Sequence, residues 1–449
     1  MGDKRAMPAA EPQIETDLPG EETKRLVEAD ERVISPSSPR AYPLAIERAS
    51  GVTVTDVDGN TFWDFASGIA VTNVGHNHEQ VVEAAKDQLD TLVYPAFCDY
   101  YSPEPVRLAE RLVELAPGDS SKQLFFGNSG TEAVEAGMKL ARHHTGRHRF
   151  IAFEGAFHGR TMGSLSLTAS KTKYKRKFGP LVPGVDHVPY PDQSAADGPE
   201  DALERTFDAL EDLLRTRVPA DEVAGIVVEP IQGEGGYVVP PEGFHQRLRE
   251  FADEHGMLLI ADEIQTGFGR TGEWFAMDHW DVEPDITLMG KGIANGLPMS
   301  AMVARSDVMS WESGTHASTY HGNPVAAAAS NAVIDVIEEE GLLANARTVG
   351  AHLQAELTDL AAEVDEISTV RGRGLMIGVE FTDPRTGEAL GDLSEEIMHA
   401  AWKRGLMILP CGQSTIRFAP PLTITREQAS TAADIFADAV ADAVVATER

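Results

Sequence analysis

The chain is poor in cysteine, in lysine and in long apolar runs. Its 449 residues contain two cysteines, Cys98 and Cys411, which excludes a disulfide scaffold, and neither has the neighbouring ligands that begin a zinc site. Both are read as reduced packing residues. No stretch approaches the ~20 consecutive apolar residues of a membrane span, and the segment from Met1 to Glu11 lacks the apolar core of a secretory leader. A cytoplasmic protein is therefore expected. Lysine supplies only 11 of the 38 basic residues, against 71 acidic ones, for a formal charge of −33. Such a charge repels phosphate backbones and anionic lipid, so neither a nucleic-acid partner nor a membrane partner is expected. The acid is spread along the whole chain, as in proteins adapted to high salt.

What is present is enough for two or three domains at roughly 150 residues each, with a full core. Residues 1–35 are rich in Glu, Asp and Pro with little apolar periodicity and read as a mobile or loosely docked arm. From Val52 the string TVTDVDGNTFWDF alternates about an Asp58-Gly59 turn, the pattern of a hairpin. Residues 36–74 are assigned to the small domain, 75–340 to a large domain, and 341–449 to a small C-terminal α+β domain. In the large domain short β-branched runs (123–126, 149–153, 225–229, 257–262 and 285–289) alternate with helical patterns such as 131–143 and 243–255. That alternation predicts an α/β fold with a mainly parallel sheet wrapped by helices. The 371–374 string Arg-Gly-Arg-Gly is a turn of the small domain, because no strand-to-helix pattern frames it as a dinucleotide site.

Ligands collect at the carboxyl ends of parallel strands, so the residues after each strand matter most. The 126–132 junction, Phe-Gly-Asn-Ser-Gly-Thr-Glu, ends a strand in small residues and starts a helix, which suits an anion held by backbone N–H groups; an ordinary capped helix fits as well. The run Leu258 to Glu263 delivers Asp262 to the same edge, where a carboxylate is costly without a partner. The run Ile286 to Gly292 delivers Lys291 between two glycines. A lysine, a buried acid and a helix N-terminus are what pyridoxal phosphate asks of a protein. His76-Asn77-His78 and His143-His144 lack a surrounding acid or cysteine set, so no metal is expected.

The strings NSGTEA (128–133), FHGRT (157–161), EPIQGEGG (229–236), DEIQTGFGRTG (262–272), GKG (290–292) and STYHGNP (318–324) resemble the class III, or omega, aminotransferases of fold type I. The resemblance implies pyridoxal 5′-phosphate as cofactor, a large domain with a mainly parallel sheet, and a smaller α+β domain. It implies that Lys291 holds the cofactor as a Schiff base and moves the proton at the substrate carbon. Asp262 would face the pyridine nitrogen, Gln265 the ring hydroxyl, and Phe157 the ring face, with His158 in support. Ser129, Gly130 and Thr131 would bind the phosphate, joined by Thr319 from the neighbouring subunit of a homodimer. Arg417 would grip the α-carboxylate of glutamate, Glu234 would pair with that arginine when the donor has no α-carboxylate, and Arg160 would face the far end of the substrate. The implied activity is transfer of an amino group from an ω-amine, 4-aminobutyrate first, to 2-oxoglutarate; a racemase or aminomutase of the same fold and an acetylornithine or ornithine aminotransferase are the alternatives. His321 stands where a glycine is common in this family, and Ile293-Ala294-Asn295 replaces a more glycine-rich stretch.

The charge has a measurable consequence. Repulsion among carboxylates falls as the Debye length shrinks from ~10 Å at 0.1 M salt to ~3 Å at 1 M. The melting temperature should therefore rise between dilute and molar KCl; a flat or falling curve would contradict the salt adaptation.

Overall fold

A computed structural model describes residues 11–447. The chain forms two compact units, one of residues Glu79–Ala344 and one built from the segments on either side, up to His78 and from Asn345.

The N-terminal segment contributes a meander of β1 (Ile46–Ser50), β2 (Thr53–Asp56) and β3 (Thr61–Asp64), all antiparallel. The β2–β3 turn forms because Gly59 can take a φ of +95° and because Asp56 Oδ1 accepts the N–H groups of Asp58 (3.0 Å) and Asn60 (2.7 Å). Residues expected to form a loose arm differ from that expectation from residue 11 onward; residues 1–10 lie outside the described residues. Gln13 pairs with Thr61, and Glu21–Val33 is a helix. The helix starts where it does because Asp58, at the hairpin tip, accepts the N–H groups of Glu22 and Thr23 at 2.9 Å each. Orphan donors at a helix start need such an acceptor. This one comes from a distant turn, so the local pattern does not reveal it.

The large unit holds a seven-stranded sheet of β4 (Lys122–Gly127), β5 (Arg149–Phe153), β6 (Val185–Val188), β7 (Val223–Val228), β8 (Leu258–Asp262), β9 (Ile286–Met289) and β10 (Ser300–Arg305), in the spatial order β4-β10-β9-β8-β7-β5-β6. Only β10 runs against its neighbours. The sheet is buried on both faces, which is why β7 reads VAGIVV without alternation. The helix Gly130–Thr145 lays Ala133, Val134, Met138 and Ala141 on it. Gly137 permits this approach: a Cβ there would meet Leu288 at 3.0 Å. The carboxyl ends of β4, β5, β6, β7, β8 and β9 consequently share one edge. β6 and β10 were not legible as strands, since VDHV is polar and half-buried at the sheet's margin and SAMVAR follows a proline without a strong apolar run.

In the other unit β11 (Ile367–Arg373), β12 (Met376–Phe381), β14 (Leu409–Cys411) and β15 (Thr415–Phe418) form a second antiparallel sheet, while the short β13 (Leu406–Met407) pairs in parallel with β3 and so joins the two segments. The 371–374 glycine run is the β11–β12 hairpin, with Gly372 at φ +154°. Cys411 is buried, as a packing residue should be. Cys98 is exposed, which corrects that reading for one of the pair: its thiol lies 3.4 Å from Asp99 Oδ2 on the surface rather than in a core. No helix among the described residues is long and apolar enough to cross a membrane.

The hairpin and the helix Leu342–Ala361 touch through glycine. A Cβ on Gly350 would lie 2.0 Å from the carbonyl oxygen of Gly374, a backbone atom that cannot step aside. Gly350→Ala should cost about 3 kcal/mol by overpacking, read from the denaturant midpoint. Gly387→Ala, at φ +74° in open space, should cost only the backbone component of about 1 kcal/mol. Equal losses at the two positions would contradict the contact.

Candidate active site

Glycines bring the first and last of the three strand-end junctions together. A Cβ on Gly130 would meet Ile264 at 3.0 Å; one on Gly290 would meet Ile264 at 3.2 Å and Gly130 Cα at 3.5 Å. The start of the helix Gly130–Thr145 and the residue before Lys291 thus share one contact, with Ile264 of the β8 loop between them. Lys291 itself is partly buried and takes φ +41°. A non-glycine residue there costs roughly 1–2 kcal/mol, and such strain collects at functional sites.

Asp262 ends β8 and is buried. Its Oδ2 lies 2.7 Å from Nδ1 of His158, whose side chain is fully buried, and its Oδ1 accepts the N–H of Ile264 at 3.1 Å. Burial works against a charged imidazole, but the hydrogen bond to Asp262 and the charges of Asp262 and Glu229 outweigh it, so the His158 pKa is raised. Glu229, at the end of β7, accepts N–H bonds from Phe157 (3.0 Å) and Gly233 (3.1 Å) and thereby ties two loops together. Burial pushes its pKa up to about 7, against the pull of His158. The neighbouring acid, Glu263, is committed elsewhere: it accepts the N–H groups of Ala276 (3.0 Å) and Met277 (2.8 Å) and the Thr266 hydroxyl. Of the two adjacent acids, Asp262 is the one joined to the His158 loop.

The anion cradle has a defined hydrogen-bond pattern. Ser129 Oγ donates to Glu132 Oε2 at 2.9 Å, and Asn128 N–H donates to the same oxygen at 2.9 Å. Burial would raise the Glu132 pKa, but the donors Asn128 and Ser129 lower it overall. In this arrangement the Ser129 hydroxyl is committed to Glu132. Thr131 Oγ1 lies 2.6 Å from both Thr161 Oγ1 and Ser164 Oγ, and Thr161 donates to Glu135 at 2.6 Å. Gly159, at φ +128°, lets the 157–161 loop come this close: a Cβ there would meet Thr131 Oγ1 at 2.6 Å.

Phe157 and Arg160 leave the same loop. The Arg160 guanidinium sits 5.2 Å from the Phe157 ring centroid and 4.6 Å from that of Tyr174, and the two rings meet edge to face at 5.6 Å. Tyr174 also donates its hydroxyl to Glu234 Oε1 at 3.1 Å, and Lys171 Nζ lies 2.8 Å from the same oxygen. Gln265 is buried and accepts the Tyr237 hydroxyl through Oε1 at 3.0 Å, which leaves its amide N–H₂ as the donor.

The large unit therefore unites Ser129, Gly130, Thr131, Phe157, His158, Arg160, Asp262 and Lys291 along one sheet edge. Glu234 joins this group through Tyr174, and Gln265 follows three residues after Asp262. Thr319 is not brought to the cradle within the chain: it stands exposed in the turn before the helix Pro324–Glu339 and makes no hydrogen bond there among the described residues. His321, two residues on, stacks on Phe125 at 5.3 Å and meets Phe97 edge to face at 5.7 Å, so it packs that turn down. Arg417 belongs to the other unit, where it is buried in β15 opposite Gly378 and Leu409. Sequence reasoning missed Glu229, Tyr237, Lys171 and Tyr174. Glu229 was within reach, because it closes β7 as Asp262 closes β8. The others come from loops whose spacing carries no signal.

Pyridoxal phosphate fits these residues. A Cβ on Gly159 would overlap Thr131 and Ser164, and one on Gly130 or Gly290 would press on Ile264, so these loops pack closely around the place such a group would take. Asp262 is held as an acceptor by a fully buried histidine, and Lys291 stands at the same edge in a strained conformation.

Comparison with known proteins agrees. A family profile described as "Aminotransferase class-III" matches residues 34–440. The chain is 38% identical to an alanine/serine racemase of Pyrococcus horikoshii over 442 residues, covering 96% of this chain and 93% of that one. It is 39% identical to a 4-aminobutyrate aminotransferase of Mycobacterium bovis over 441 residues, covering 95% and 97%. Among solved structures, an (S)-enantioselective omega-transaminase from Thermomicrobium roseum superposes with a TM-score of 0.88 at 32% identity, covering 94% and 98%. An amine transaminase from an uncultivated Pseudomonas species, solved with pyridoxal phosphate bound, gives 0.84 at 33%, covering 89% and 95%. A sheet edge assembled from these motifs, matched over nearly the whole chain, belongs to one family: the chain is a class III aminotransferase family member of fold type I, and its cofactor is pyridoxal phosphate.

Proposed function

We propose that the chain takes the amino group of an ω-amino donor, 4-aminobutyrate first, and passes it to 2-oxoglutarate. Arg160 carries this reading. Its guanidinium is spread over the Phe157 and Tyr174 rings, and among the described residues no carboxylate pairs with it. Arginine held flat by aromatic rings keeps its fork of donors available, and the far carboxylate of an ω-amino acid matches that fork. The name of the Mycobacterium bovis relative supports the same donor.

The chemistry divides among the residues as follows. The cofactor, when bound, supplies an aldehyde for the incoming amine and a ring that accepts electrons from the adjacent carbon. The first N–H groups of the helix Gly130–Thr145 would hold its phosphate, with Ser129 and Thr131 alongside and Thr319 of a second subunit completing a homodimeric site. Asp262, kept in place by His158, favours a protonated ring nitrogen. Gln265 donates to the ring hydroxyl, because Tyr237 has taken its oxygen. Phe157 would pack against the ring. Lys291 Nζ would move a proton from the amine-bearing carbon of the donor to the cofactor, and in the second half of the cycle from the cofactor to the carbon of the keto acid.

A racemase or epimerase is the second reading, favoured by the Pyrococcus horikoshii relative and by an isoleucine 2-epimerase of Lentilactobacillus buchneri at 39% identity. A panel of amino donors with 2-oxoglutarate, run beside a chiral assay without keto acid, separates the two. Glutamate should form fastest from 4-aminobutyrate. Arg160→Gln should raise the KM for 4-aminobutyrate by about tenfold, the loss of a charged hydrogen bond, and leave simple alkylamines within twofold. Inversion of alanine without keto acid, and no glutamate, would establish the isomerase instead. Separately, borohydride should fix the cofactor to Lys291 and to no other lysine. Lys291→Ala should keep the fold and lower turnover by at least ~10²–10⁴, the usual contribution of a proton-transfer group.

A further inference from the structure

Four of the eleven lysines of this acidic chain fall between Lys171 and Lys177, in the string KTKYKRK. In a protein of net charge −33 that concentration is conspicuous, and it lies against the site rather than on a remote face. Two residues of the loop reach Glu234. Lys171 Nζ is 2.8 Å and the Tyr174 hydroxyl 3.1 Å from Oε1, so both act on one oxygen. Side-chain exposure is 29% for Lys171 and 16% for Glu234, so this pair is screened less than the surface pairs that contribute little. Tyr174 also turns its ring to Arg160 at 4.6 Å and its edge to Phe157. Lys173, Arg176 and Lys177 of the same loop have no carboxylate within ion-pair distance among the described residues.

We propose that Lys171 and Tyr174 are specificity-determining positioning residues: they neutralise Glu234 so that this part of the large unit accepts substrates carrying carboxylates. The inference rests on the reading of Glu234 and Arg160 as substrate-facing groups. Its physical basis is Coulombic. A bare carboxylate a few ångströms from an incoming carboxylate repels it, and the repulsion is stronger in a partly buried site than in bulk water because the effective dielectric is lower. A lysine and a phenol on the same oxygen cancel most of that field. Burial, and after it the charge of Glu234, raises the Tyr174 pKa, so the phenol keeps its proton and stays a donor. The Tyr174 ring, by holding Arg160, keeps the cation beside the neutralised acid. The effect should scale with substrate charge: strongest for a dicarboxylate, weaker for 4-aminobutyrate, absent for an alkylamine.

The test uses the holoenzyme and an unreactive dicarboxylate, glutarate, titrated calorimetrically, together with KM for 2-oxoglutarate and for an alkylamine donor. Lys171→Met and Tyr174→Phe should each weaken glutarate and raise the 2-oxoglutarate KM by about tenfold, while the alkylamine KM and the kcat stay within twofold. In a Glu234→Gln background neither change should matter, since no charge remains to neutralise. That cycle excludes a merely structural role, which would persist without the acid. Unchanged glutarate binding in Lys171→Met, or an equal loss in the Glu234→Gln background, would overturn the proposal. A wild-type enzyme that ignores ω-amines yet shows the charge-graded loss on carboxylate substrates would refute the 4-aminobutyrate reading and leave the neutralisation standing.

Discussion

A carboxylate buried at the end of a parallel strand is the constraint on which the rest of the site depends. Asp262 is out of water, and an uncompensated charge there would cost several kcal/mol. His158 removes that cost by hydrogen-bonding it at 2.7 Å, and the need to bring His158 to this point dictates the path of the 153–161 loop. Glu229 holds the same loop by accepting the Phe157 N–H. Phe157, His158 and Arg160 therefore owe their positions to one electrostatic requirement. Glu229 carries a raised pKa because it performs this tie in a dry place beside Asp262.

Close backbone approach is the second constraint. Gly130, Gly159 and Gly290 stand where the strand-end loops press on each other: a Cβ on Gly159 would overlap Thr131 and Ser164, and one on Gly130 or Gly290 would crowd Ile264. The parallel sheet makes such crowding unavoidable, since six strand ends deliver their loops to one edge. Lys291 is held in left-handed geometry by neighbours that are themselves fully buried, Gly292, Ile293 and Ala294 among them. The surrounding packing over-determines this strained residue and holds its backbone in one conformation.

Much of this was legible from the chain. Apolar β-branched runs with helices between them specify a parallel sheet because both faces must be covered, and the residues after each run are then the candidates for chemistry. Asp262, Lys291 and the 128–131 junction follow from that rule, and Glu229 would have followed had it been applied to β7. The strands β6 and β10 did not show, because a marginal strand need not be apolar and an antiparallel return strand has no helix to mark it. Residues 11–33 looked featureless because the group that caps their helix, Asp58, sits on a hairpin elsewhere in the sequence.

The sequence by itself determined the class of fold and the family, since these depend on periodicity and on motifs contiguous in the chain, and it named the groups proposed to meet the cofactor. Only the tertiary structure decided which acid meets His158, that Ser129 gives its hydroxyl to Glu132, and that Lys171 and Tyr174 share one oxygen of Glu234. The physical reason is that a hydrogen bond is a distance between atoms, and loops such as Lys171 to Lys177 reach their partners through the packing of the strands beneath them, which no local pattern encodes.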